Sequence, residues 1–199
     1  MRPKAWWAVV TVLPLLRPFL YVYMRFTPLP AWVLTLLSFF SGVYGAWEFL
    51  NGRLVSGALL FQLSFFLDCA DGAVARLKKK TSFIWGYIDF MLDRIKFFLL
   101  VIALTYNTFS ILWCSAYLFL GLLYFLPWKF IEKIPLNRKY IPSEYYRYPT
   151  DVESQALAFI VFPLLNLPLM GIKVGTFILF FDQILFFSLL IRRLNEKKN

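Results

Sequence analysis

LVSGALLFQLSFFLDCADGAVAR, residues 54–76, is an apolar run that closes on two aspartates and an arginine. About 20 apolar residues in a helix cross the roughly 30 Å hydrocarbon core of a bilayer, and residues 54–67 carry no charge. Charge begins at Asp68 and Asp71, and thirteen positions beyond Arg76 stands Asp89, with Asp93 four further on. Four of the 11 acidic residues therefore fall between positions 68 and 93. Ionised carboxylates beside hydrocarbon are costly unless they are neutralised. Divalent cations are the simplest counter-charge, so the stretch reads as a membrane helix leading into a metal site.

The rest of the chain agrees with a bilayer as solvent. Of 199 residues, 60% are hydrophobic and 21% aromatic against 16% charged, and the mean hydropathy is +0.66, which excludes a soluble globular domain. Apolar runs predict an all-α integral membrane protein with six spanning helices at 30–50, 54–75, 83–106, 108–127, 152–169 and 172–191. Residues 1–26 carry Trp6 and Trp7 but are interrupted by Pro3, Pro14, Pro18, Arg17 and Arg25. They predict an interfacial amphipathic segment along the cytoplasmic leaflet, with a seventh tilted span as the alternative. No small-residue cleavage site follows, so no signal peptide is expected.

The net charge of +10 does not point to nucleic acid, because the basic residues form no basic domain with interleaved aromatics. They sort by membrane face. Of the 21 Lys and Arg, only Arg53 and Lys173 fall toward one side. The positive-inside rule then places both termini and the aspartates on the cytoplasmic side of the cell (inner) membrane, in keeping with an even number of spans. Cys69 and Cys114 lie on different predicted helices, so no disulfide is expected. The chain has no histidine, which excludes His-based zinc sites and Ser-His-Asp triads. Acid–base chemistry falls to carboxylates.

One domain, 1–199, accommodates all of this. Thr27-Pro28-Leu29-Pro30 separates the entry segment from the first span, and Asn51-Gly52 turns a tight helical hairpin. Gly42, Gly45 and Gly57 allow its two helices to approach closely. Residues 128–150, with Pro135, Pro142 and Pro149 among basic residues, read as a cytoplasmic connection. Thr150-x-x-Glu153 has the form of a capping box, with a place for Glu153 beside the active site as the alternative.

On a helix, Asp68, Asp71, Gly72 and Ala75 stand at i, i+3, i+4 and i+7 and share one stripe. Asp89 and Asp93, four apart, share a face of the next helix. The turn at Lys78-Lys79-Lys80 is expected to make these helices antiparallel neighbours whose four carboxylates converge. All-oxygen ligation suits Mg²⁺ or Mn²⁺, ions that commonly bridge phosphates. Gly72 and Ala75 leave room for a base or sugar, and Arg76 offers a planar fork to a phosphate. A purely structural cluster tying two helices would not need four like charges with one arginine between them.

Asp68-Cys69-Ala70-Asp71-Gly72-Ala73-Val74-Ala75-Arg76 followed by Asp89-Phe90-Met91-Leu92-Asp93 resembles the signature of the class I CDP-alcohol phosphotransferase (CDP-alcohol phosphatidyltransferase) family. The likeness covers residues 27–100 well, and the later helices only in hydropathy. It implies an integral membrane enzyme, commonly a homodimer, that moves a substituted phosphate from a CDP-alcohol to an alcohol acceptor and releases CMP. It further implies two divalent cations, Mg²⁺ or Mn²⁺, held by Asp68, Asp71 and Asp89. Asp93 would be general base and a ligand of the second ion, and Asp71, Gly72, Ala75 and Arg76 would hold the nucleotide. Trp85 stands where the family has Gly, so Gly86, one step later, is the candidate for that close approach to the nucleotide. The family's Pro-Asn at the first span is Pro30-Ala31 here.

Within this resemblance a CDP-diacylglycerol-like lipid donor in phospholipid biosynthesis is favoured. The alternative is a synthase of a soluble inositol phosphodiester from CDP-inositol and inositol phosphate. A cation transporter using the aspartates as ion ligands is the rival from another class, but it predicts related halves and mid-bilayer carboxylates. Arg138, Lys139 and Arg147 are candidates to bind an acceptor phosphate, as are Arg17, Arg25, Lys129 and Lys133, with contact to anionic membrane lipids as the alternative. Asp182, alone in the last span, reads as a helix-to-helix hydrogen bond or as lining of the catalytic cavity.

Overall fold

The computed structural model describes residues 5–26, 29–78, 83–124 and 151–196. Their regular structure is entirely helical: α1 Ala8–Phe26, α2 Ala31–Leu50, α3 Leu54–Leu77, α4 Phe83–Thr108, α5 Ile111–Leu123, α6 over residues 151–164 and α7 Pro168–Glu196. Among them α1, α2, α3 and the Pro168–Leu185 part of α7 are long and apolar enough to cross a membrane. The predicted run at 83–106 forms a helix too, but one carrying Asp89, Asp93, Arg94 and Lys96. The described part of α5 and α6 is shorter than a span.

The sequence places spans at 152–169 and 172–191 with a short turn near Asn166, and the α6–α7 turn falls at Leu165–Leu167. There Asn166 adopts a left-handed φ of 60°, its N–H bonds Pro163 O at 3.0 Å, and Leu167 N–H bonds Phe162 O at 2.8 Å. This pair of bonds satisfies the last carbonyls of α6, and Pro168 opens the next helix. The same closure forms at the predicted hairpin, where Gly52 has φ 74° and Arg53 N–H reaches Glu48 O at 2.9 Å. α4 and α5 part at Phe109, φ 51°.

α1 is continuous through Pro14 and Pro18, which the sequence reading treats as interruptions. The first turns, Ala8–Val12, are wide, so that Leu13 N–H bonds Ala8 O, five residues back. The ladder is thus shifted just ahead of Pro14, which has no N–H to give. α6 uses the same device, with Phe162 N–H bonding Leu157 O just before Pro163.

Packing places α2 at the centre. It lies along both α3 and α4, whereas α3 and α4 touch each other little, so the expected pairing of those two as packed neighbours is not what forms. The glycines explain this. A Cβ on Gly45 would stand 3.2 Å from Gly57 O, so the α2 and α3 backbones are nearly in contact, and Gly42 opens a groove on α2 toward α4. One core joins α2–α7 through Phe49, Phe61, Phe97, Tyr117, Phe159 and Ile172. A second packs α1 onto α2 and α3 through Val12, Leu16, Tyr23, Leu34, Ala70 and Val74. Trp7 fastens the start of α1, its N–H to Glu153 Oε1 at 3.4 Å and its indole to Gln62 Oε1 at 3.2 Å. Outward faces are apolar and exposed, as at Phe40, Tyr44 and Trp47 on α2 and Phe177, Phe180 and Phe181 on α7.

Candidate metal centre

The helical stripe predicted on α3 divides the residues of its last turns between two environments. Ala70 and Val74 are buried against α1, while Asp68 and Asp71 turn to the other side and meet Asp89 of α4. One carboxylate oxygen from each of these three lies within 4.8 Å of the others. Asp71 is the most enclosed, 5% exposed, and its Oδ2 accepts a hydrogen bond from Thr35 Oγ1 of α2 at 2.5 Å. An oxygen shell around Mg²⁺ or Ca²⁺ is roughly 4–5 Å across, from metal–oxygen distances of about 2.0–2.6 Å. Three hard, anionic oxygens gathered to that span fit a divalent cation.

Asp93, one turn beyond Asp89 on the same stripe, is engaged differently. Its Oδ1 is 2.9 Å from Lys96 Nζ, and that nitrogen also donates to Ser38 Oγ at 3.1 Å. Arg94 lies over the Phe90 ring at 5.3 Å, within the electrostatic reach of Asp93 and Asp151.

The nucleotide candidates border the trio. Gly72 is half-buried and overlain by Arg76, whose Nη1 would be 3.2 Å from a Cβ placed on it. Ala75 is half-buried. Gly86 is exposed, and a Cβ there would meet nothing within 4 Å. Trp85 stacks on Trp32 of α2 with ring centroids 6.1 Å apart and 14° between planes.

Other candidates fall elsewhere. Arg138, Lys139 and Arg147 lie outside the described residues, as do Lys129, Lys133 and Thr150. Arg17 and Arg25 are exposed on α1. Glu153 is 1% exposed and takes the Trp7 N–H, a bond to a distant helix that the capping pattern does not foresee. Asp182 is 9% exposed and lies within the electrostatic reach of Asp151 and Glu153 of α6. The sequence reading missed Thr35, Ser38 and Lys96. Only Lys96 left a signal, standing at i+7 from Asp89 and i+3 from Asp93.

Residues 29–187 match the sequence pattern of CDP-alcohol phosphatidyltransferase, which takes in α2 to α6, the first two thirds or so of α7 and all four aspartates. With its signature carboxylates converging as described, the chain belongs to the CDP-alcohol phosphatidyltransferase family. It is similar to the archaetidylinositol phosphate synthase of Methanothermobacter thermautotrophicus, 32% identical over 97 residues, 49% of this chain and 50% of that protein. It is also similar to the bifunctional IPC transferase and DIPP synthase of Archaeoglobus fulgidus, 41% identical over 75 residues, 37% of this chain and 15% of that protein. The protein of the same name from Thermococcus kodakarensis is 39% identical over 61 residues, 31% of this chain and 14% of its own length. The chain thus spans half or less of the length of each of these relatives.

Proposed function

We propose that the protein is a metal-dependent CDP-alcohol phosphotransferase that passes a substituted phosphate from a CDP-linked donor to an alcohol and releases CMP. The observation that carries this reading is the convergence of Asp68, Asp71 and Asp89 within 4.8 Å, at the spacings of the family signature. In this reading the three hold two divalent cations, Mg²⁺ or Mn²⁺, with Asp93 as a further ligand of the second. When bound, the ions supply charge neutralisation for the donor's two phosphates.

The chain's own residues do the rest. Gly72 and Ala75 admit the nucleoside, with Gly86 at its edge, and Arg76 binds a phosphate oxygen. The acceptor oxygen attacks the phosphorus that carries the donor alcohol, and a new O–P bond forms. The bond from that phosphorus to the oxygen of CMP breaks, CMP leaves with the electron pair, and the acceptor's proton passes to the Asp93 carboxylate.

A CDP-diacylglycerol-like lipid donor is favoured, with use in phospholipid biosynthesis. The name of the archaetidylinositol phosphate synthase supports an inositol phosphate acceptor, for which Arg138, Lys139 and Arg147 are the candidate phosphate ligands. CDP-inositol with a soluble product is the second reading, supported by the likeness to the two bifunctional synthases. The domain is single. α2–α7 form six spans and α1 lies along the cytoplasmic leaflet, with both termini and the site cytoplasmic and two copies forming a homodimer.

The test is CMP release by purified protein offered CDP-diacylglycerol or CDP-inositol with inositol phosphate, glycerol phosphate or inositol. Metal-dependent release with the lipid donor is the expected result. Release with CDP-inositol alone supports the second reading, and release with neither, alongside ion flux in liposomes, overturns both in favour of a transporter.

A further inference from the structure

α2 and α4 run parallel, with Ser38 level with Lys96 and the Phe49 carbonyl level with Asn107. α3 runs back along α2, with Thr35 level with Asp71 and Ser38 with Ser64. One turn from the Asp68, Asp71 and Asp89 trio toward the starts of α2 and α4, about 5.4 Å, these three helices bring a further set of residues together. Trp32 stands three positions before Thr35, Trp85 four before Asp89, and on the antiparallel α3 Ala75 stands four beyond Asp71. Each therefore shares the face of its helix that carries the site.

At this level α2 and α4 present two large rings and α3 presents small residues, Ala75 with Gly72 beside it. The indoles of Trp32 and Trp85 stack with centroids 6.1 Å apart and 14° between planes. Stacking does not cover them, for Trp32 is 41% and Trp85 48% exposed. Next to Trp85 the ground is open, since a Cβ on Gly86 would meet nothing within 4 Å. Two indoles braced against each other, with part of their surface free beside a centre suited to phosphate-bound cations, make a platform for a planar ring.

We propose that Trp85, braced by Trp32, is the stacking platform for the donor's cytosine, which lies between this indole and the small residues Gly72 and Ala75 of α3. This rests on the proposed function and adds a wall to its nucleotide site that the resemblance does not supply, since glycine is expected at position 85. With the donor's phosphates at the aspartates, the base falls at the next level, where the indoles stand. Every base has a face to stack, so the pair gives affinity for the nucleotide rather than choice among bases.

The test is binding of two probes to the purified protein with Mg²⁺ present, read by isothermal titration calorimetry. One is CMP, and the other is ribose 5-phosphate, which keeps the sugar and phosphate without the base. Trp85→Leu should weaken CMP about 10- to 100-fold, the scale of one lost stacking contact, and ribose 5-phosphate less than about twofold. Trp32→Leu removes the brace but leaves the platform, and should weaken CMP about 3- to 10-fold. Unchanged CMP affinity in Trp85→Leu would assign the pair to the bilayer interface and overturn the proposal. Equal losses for both probes would mean that the indoles only hold α2 against α4, and the proposal fails. If Trp85→Leu does not fold, Trp85→Phe keeps a ring, so CMP affinity should stay within about threefold while quenching of tryptophan fluorescence by CMP falls by about half or more. An undiminished quench there counts against the idea. Wild type that binds no CMP sinks the proposed function, whereas wild type that binds CMP no better than Trp85→Leu sinks this inference alone.

Discussion

Asp93 and Thr35 make the sharpest demands at the scale of single residues. Asp93→Asn should leave the fold intact, since Lys96 keeps Ser38 as acceptor, and should reduce CMP release to below about 1% of wild type, the loss that removing a general base brings. Turnover near wild type would end the assignment of Asp93 as base. Thr35→Val removes the hydroxyl that fixes Asp71 Oδ2, a bond to a charged group, and should weaken Mn²⁺ binding about tenfold, read by the electron paramagnetic resonance of free Mn²⁺. The aspartates were legible in the sequence because positions three and four apart on a helix share a face whatever the surroundings. Thr35 and Ser38 were not, because their partners depend on the register between α2, α3 and α4, a tertiary matter that no local spacing encodes.

At the scale of elements, close helix approach is set by glycine. Gly171 of α7 would place a Cβ 3.1 Å from Ala158 Cα and 3.1 Å from Leu157 O, backbone atoms that cannot swing aside. Gly171→Leu should therefore separate α6 from α7 and cost about 1–3 kcal/mol, the range for overfilling a packed site, seen as a lower Tm in detergent. An unchanged Tm would show that the two helices yield freely. The helices themselves were legible as apolar runs, but some of their ends were not. Leu165 and Leu167 are as apolar as the helices they separate, so hydropathy alone carries the run on to residue 169, and it is Asn166 itself that marks the turn. Pro14 and Pro18 misled in the opposite direction, because the wide turn at Ala8–Val12 shifts the hydrogen-bond ladder ahead of Pro14 and lets the helix run on.

At the scale of the whole molecule, α1 decides the topology. It is 19 residues long and apolar enough to cross a membrane, yet only one stripe of it packs inward. If it lies along the leaflet as proposed, reporters fused to the two termini should both read cytoplasmic. Opposite locations would make α1 a seventh span. Chelation offers a second test at this scale: EDTA should abolish CMP release, and Mg²⁺ or Mn²⁺ should restore it, whereas activity that survives full chelation would remove the metal from the reaction.

The bonds from Trp7 to Glu153 and Gln62 bring together parts of the chain 146 and 55 positions apart. Glu153 is all but fully enclosed, so trimming the chain past Trp7 would strip one donor from a carboxylate that water does not reach. The damage would surface at the start of α6, beside Asp151 and Arg94, far along the chain from the cut. Leader residues that look dispensable in a hydropathy plot thus help keep the distal half of the bundle in order.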